Sequence, residues 1–171
     1  MRNMQEIKVK IVLLGNPAVG KTSLIRKFVY DAYSDEYIGT LGTKVSKKTV
    51  RIDDKEVTMM IWDLMGEHEF RRMQNMAFSG TQGALVVCDL TRKETLGGFD
   101  FWPESLMKVA GEVPIIFLGN KDDLPNLHIA PSDIEPYARK HNTEYYLTSA
   151  KTGNHVEEAF RNLARKIVER M

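Results

Sequence analysis

The chain has 171 residues, 24 Lys plus Arg against 23 Asp plus Glu, and a formal net charge of +1. That length suits one domain able to bury most of its apolar surface, so 1–171 is read as a single unit. The balanced, scattered charge excludes a global field for nucleic acid or an anionic membrane, and no segment has the apolar length to cross a bilayer.

Residues 1–8 are charged and hold nothing like the apolar core of a signal peptide. Residues 9–14 form a short β-branched run ending at Gly15, the pattern of a buried parallel strand. Next comes Gly15-Asn16-Pro17-Ala18-Val19-Gly20-Lys21-Thr22, which fits G-x-x-x-x-G-K-[ST] between a strand and a helix predicted over 21–30. Glycines there let the backbone wrap closely around phosphate oxygens, and successive N–H groups at a helix N-terminus meet negative charge. Lys21 is placed to reach β- and γ-phosphates and the Thr22 hydroxyl to bind Mg²⁺, with Ser23 counted among the phosphate-binding residues. This loop alone does not choose between ATP and GTP.

Alternating segments around 43–52 and 56–62, joined by Asp53-Asp54-Lys55, read as a hairpin. Residues 84–89 are another buried run, and Cys88 within it is a small core residue in keeping with a reducing cytoplasm. A helix follows near 95–110, with a late or kinked start expected from Gly97-Gly98 and Pro103. The strand 114–119 then leads into Asn120-Lys121-Asp122-Asp123. An Asp123 carboxylate accepts two hydrogen bonds from a guanine edge, whereas adenine would leave it unpaired in the pocket. Asn120 and Lys121 frame the base. A helix over 131–141 and a strand over 144–148 precede Ser149-Ala150-Lys151. The last helix, about 154–170, carries an apolar stripe, with Asn154 and Glu157 placed for a capping box. The six strands alternate with helices. That order gives an α/β fold, a mostly parallel sheet covered on both faces with one antiparallel edge strand, and ligands at the strands' carboxyl ends.

The loop from Gly15 to Thr22, Trp62-Asp63-x-x-Gly66, Asn120-Lys121-x-Asp123 and Ser149-Ala150-Lys151 together resemble the Ras superfamily of small GTPases, the Rab branch most closely. The likeness runs from about residue 8 to 166 and is ungapped over 62–91. It implies a P-loop NTPase, the small G domain, acting as a Mg²⁺-dependent GTP/GDP switch with slow or partner-stimulated hydrolysis. It also implies effector, exchange-factor and GTPase-activating partners at two switch segments. By the same resemblance Thr40, in Tyr37-Ile38-Gly39-Thr40-Leu41-Gly42, joins Mg²⁺ when γ-phosphate is present, and Tyr33 packs on guanine. Asp63 holds the metal, through a water. The Gly66 amide senses γ-phosphate, and Ala150 and Lys151 complete the base pocket. A monomer in the cytoplasm is expected. The chain ends in Met171 with no prenylation cysteine, so either it works without a lipid anchor or a tail has been trimmed.

The sequence departs from the family at several places. Glu67 stands where a water-orienting glutamine is usual, so it acts as a base with raised pKa or swings into solvent; impaired or partner-dependent turnover is favoured. Met65 replaces a small residue, and His68 reads as solvent-exposed. Met73 and Met76 read as core filling ahead of an adaptable interface. Pro17 removes one N–H from the phosphate loop and stiffens it. A nucleotide-locked binding module with little hydrolysis is the alternative. An ATP-dependent phosphotransferase is a third reading, disfavoured by Asp123.

Overall fold

The computed structural model describes residues 4–33, 44–64 and 74–171. Strand β1, Gln5–Leu14, has a clean period of two: Ile7, Val9, Ile11 and Leu13 face one core, and Val12 and Leu14 the other. β2 (Lys44–Ile52) and β3 (Lys55–Asp63) form the antiparallel hairpin, with Asp53 at its turn in the left-handed region (φ 54°). β4 (Gly83–Asp89) and β5 (Ile115–Asn120) are buried along their whole length, while β6 (Tyr145–Thr148) closes the sheet. The order is β2-β3-β1-β4-β5-β6, and every neighbouring pair except β2–β3 is parallel. The mixed six-stranded sheet is therefore as expected.

Helices cover both faces. α1 (Lys21–Tyr30) and α4 (Val156–Glu169) lie on one side, where Phe28 and Phe160 stack with centroids 4.2 Å apart and planes 3° from parallel. α2 (Gly98–Ala110) and α3 (Pro131–Lys140) lie on the other, where Phe99 stacks on Phe117 at 4.3 Å. Among the described residues, no helix is long and apolar enough to cross a membrane.

Two local expectations change and one holds. Helix α4 begins at Val156, not Asn154, and its N-cap is His155, left-handed at φ 57° and without a side-chain cap bond. The preceding loop decides this. Ser149 N–H donates to Asn154 O at 3.2 Å and Gly153 N–H to Ser149 O at 2.8 Å, so residue 154 belongs to that loop. Helix α2 starts late, at Gly98 behind a 3-10 turn over Lys93–Gly97, as the sequence predicts. A Cβ there would lie 2.9 Å from the Trp102 ring and 3.5 Å from Asn16 Oδ1. Met76, finally, is 64% exposed in a helical stretch over 74–78 while Ala77 and Phe78 are buried, so it does not fill the core.

Candidate functional site

Because five of the six strands run parallel, their carboxyl ends converge on one edge of the sheet. That edge carries, in order, Asp63 at the end of β3, the loop after Leu14, Asp89, Asn120, and Ser149 just past β6. Register aligns Leu13 with Asp63, Asp89 with Asn120, and Asn120 with Thr148. Residues far apart in sequence thus meet through backbone pairing, before any side-chain contact is counted.

The loop from Gly15 to Gly20 is shaped for close approach. Gly20 sits at φ 102°, and a Cβ on it would fall 2.4 Å from Asn120 Nδ2. A Cβ on Gly15 would fall 2.5 Å from the Val87 carbonyl. Ala18 is also left-handed, at φ 63°. Lys21 folds back so that Nζ donates to Gly15 O at 2.8 Å and Asn16 O at 3.2 Å. Burial pushes its pKa down to about 8; the Asp63 charge opposes this and the Arg92 charge reinforces it. Among the described residues the acceptors of Lys21 Nζ are neutral carbonyls, which leaves this part-buried lysine poised for an anionic partner. The Thr22 hydroxyl donates to Asp63 Oδ2 at 2.5 Å, and Asp63 is 3% exposed.

The base motif is tied to this loop. Asn120 Nδ2 donates to Val19 O at 3.0 Å, while its Oδ1 accepts from Thr148 Oγ1 at 3.0 Å. Lys121, left-handed at φ 71°, donates from Nζ to Ala18 O at 3.0 Å. The Ser149 hydroxyl donates to Asp123 Oδ1 at 2.8 Å and accepts from Thr152 N–H at 3.0 Å. Ser149 and Ala150 are buried; Lys151 and Asp123 are exposed, so the carboxylate is open to water here rather than enclosed. Ser23 is half-buried on the first turn of α1, and Tyr33 is 42% exposed at the end of the described segment after α1. Thr40, Gly66 and Glu67 lie outside the described residues, as do Met65, His68 and Met73.

One carboxylate at this edge carries no role in the sequence reading. Asp89 is 1% exposed and accepts at Oδ1 from Thr91 N–H (2.9 Å) and Thr91 Oγ1 (2.6 Å). Its Oδ2 takes Arg92 Nε at 3.0 Å and Lys121 Nζ at 2.7 Å. Burial pushes its pKa up, but the Lys121, Thr91 and Arg92 bonds outweigh that and leave it below the usual value. The signal was present as a charged residue ending an apolar run at a strand's carboxyl end. Without the register to Asn120, however, it reads as an ordinary strand terminus.

The residues suit a Mg²⁺-phosphate ligand. Thr22 and Asp63 supply two hard oxygen donors at the mouth of the loop, and no group of three or more His, Cys, Asp or Glu gathers among the described residues. Two protein oxygens fit Mg²⁺, which takes its remaining ligands from water and substrate phosphates rather than an all-protein cage. A family model described as Ras family matches residues 10–169. The chain is also 32% identical to the GTP-binding protein YPT1 of Saccharomyces cerevisiae over 173 residues, covering 100% of this chain and 84% of that protein.

Proposed function

The chain belongs to the Ras family, and on that premise we propose that it is a Rab-like GTP/GDP-binding switch that works with Mg²⁺ and hydrolyses GTP slowly. One observation carries the reading to this chain's own residues: Asn120 of the base motif donates to Val19 of the phosphate loop, so base and phosphate subsites are one bonded unit.

The roles follow. The loop amides from Ala18 to Thr22 and the Lys21 ammonium bind the phosphates, with Gly15 and Gly20 keeping the backbone close. Lys21 leaves the Gly15 and Asn16 carbonyls for phosphate oxygens, and an anion there restores its proton affinity. Thr22 and Asp63, with Thr40, hold Mg²⁺, which when bound neutralises charge on the β- and γ-phosphate oxygens. Asp123, steadied by Ser149, accepts from the guanine N–H groups; Asn120, Lys121, Ala150, Lys151 and Tyr33 surround the base. The Gly66 amide reports γ-phosphate. Glu67 occupies the sequence position of the family's water-orienting glutamine and lacks an N–H for the γ-phosphate, so turnover is slow or partner-dependent. We take 1–171 as one domain, monomeric, whose two switch segments meet effectors, exchange factors and activating proteins.

Competition against bound fluorescent GDP tests the base assignment. Unlabelled GTP displaces it and ATP does not; equal displacement by ATP would sink the reading. Single-turnover phosphate release with Mg²⁺ then separates the switch from the alternative, a nucleotide-locked module. Slow release that rises in Glu67→Gln supports the switch. No release over hours, even with added cell extract, leaves only the locked module.

A further inference from the structure

Three consecutive carbonyls of the phosphate loop are each held from behind by a different side chain. Pro17 O accepts from Arg92 Nη2 at 2.7 Å, Ala18 O from Lys121 Nζ at 3.0 Å, and Val19 O from Asn120 Nδ2 at 3.0 Å. In a planar peptide the N–H points opposite its C=O, so holding these three carbonyls aims the N–H groups of Ala18, Val19 and Gly20 the other way, into the cradle. Arg92 and Lys121 are also bridged through the single buried oxygen Asp89 Oδ2. The Arg92 side chain is 35% exposed, with Nε on the buried Asp89 carboxylate and Nη2 on the surface carbonyl of Pro17.

We propose that Arg92, anchored on Asp89, is a positioning residue that sets the Pro17–Ala18 peptide of the phosphate loop and thereby the grip on the nucleotide's phosphates. The proposal rests on the guanine-nucleotide reading above. Pro17 supplies the reason such a brace is needed. With no N–H of its own, it removes one donor from the cradle, so the orientation of the next amide carries more of the binding. Arginine suits the place because two of its nitrogens reach two acceptors at once, the Asp89 carboxylate through Nε and the Pro17 carbonyl through Nη2. A lysine ammonium at this position keeps the charge but offers one nitrogen in place of the two that Arg92 uses. Through Asp89 the same brace joins Lys121, which frames the base, so the phosphate and base ends of the pocket share one buried carboxylate.

Affinities of GDP and GMP for the full chain, measured by competition against fluorescent GDP in Mg²⁺, test this for native protein, Arg92→Gln and Arg92→Lys. GMP lacks the β-phosphate that the loop grips. Both variants lose about tenfold in GDP affinity, the weight of one charge-assisted hydrogen bond, while GMP affinity holds. The GDP-to-GMP ratio therefore narrows in both. A merely structural role moves GDP and GMP together and leaves that ratio alone, which would overturn the proposal. So would Arg92→Lys matching native protein, since charge rather than the two-point bridge would then suffice. Should Arg92→Gln fold poorly, Arg92→Lys still decides between these outcomes. Native protein that binds neither nucleotide refutes the functional reading and the brace with it; native binding with an unaltered ratio in the variants refutes the brace alone.

Discussion

Lys21, the proposed phosphate-binding lysine, is held at a cost to the protein that carries it. Its ammonium is buried against two neutral carbonyls, and its pKa falls to about 8 from a model-peptide value of 10.5. The unfolded chain therefore binds more protons than the folded one between those values. Stability of the nucleotide-free protein should rise as pH climbs from about 8 to 10.5 and be flat in this term below 8. Lys21→Met should stabilise the nucleotide-free protein at pH 7 by ~2 kcal/mol and remove that pH dependence, while abolishing phosphate binding. Urea unfolding in chelator at pH 7 and pH 10 checks both. A destabilised Lys21→Met would show that the lysine's own contacts outweigh its burial. Gly20 makes the complementary case: Gly20→Ala puts a Cβ 2.4 Å from Asn120 Nδ2 at a positive φ, so the bond from Asn120 to Val19 has to break. The expected loss is about 2–3 kcal/mol in unfolding free energy, together with a collapse of nucleotide affinity.

At the scale of elements, the site depends on how helices seat the strands that end in it. Phe28 of α1 and Phe160 of α4 stack within one core, joining the helix that opens at Lys21 to the C-terminal helix. Phe160→Ala should cost about 3–5 kcal/mol, measured by chemical unfolding, because stacking and buried area go together. β5 offers a subtler probe. A Cβ on Gly119 would approach Leu90 Cδ2 to 2.8 Å and Ile134 Cδ1 to 3.0 Å, next to Asn120. Gly119→Ala should cost about 1–3 kcal/mol by overpacking and also weaken guanine-nucleotide affinity, since β5 shifts the motif it carries. Unchanged affinity in a destabilised Gly119→Ala would mean that the loop after β5 absorbs the shift.

For the whole molecule, the nucleotide belongs in the stability account. A ligand gripped, as proposed, by residues from the ends of β1, β3, β5 and β6 would bind the folded chain and not the unfolded one. At a GDP concentration 100 times its Kd the unfolding free energy should rise by about 2.7 kcal/mol, seen as a concentration-dependent Tm. ATP at the same concentration should leave the Tm where it was. Stripping nucleotide and Mg²⁺ should lower it.

Much of this was legible along the chain for a physical reason. Alternation in β1, the continuous apolar runs of β4 and β5, and the stripe on α4 are local patterns, and local patterns imply buried faces. The phosphate loop is contiguous, so its glycines and Lys21 could be read directly as a cradle. The base motif announced itself by residue type, falling after a strand each time. The start of α4 is not legible in the sequence because Asn154 is claimed by the loop from Ser149, a competition between backbone hydrogen bonds that composition does not reveal. Met76 was misjudged because flexible apolar residues carry no sign of which way they face. Asp89 and Arg92 went without a role for a deeper reason. Their meaning depends on parallel register bringing Asp89 beside Asn120, and on Arg92 reaching a carbonyl 75 residues back along the chain. Sequence by itself determined the fold class and the family, and it nominated the residues proposed to touch phosphate and base. Tertiary structure alone decided what stands behind them, because the bonds that aim a loop's amides come from strands distant in sequence and adjacent only in the sheet.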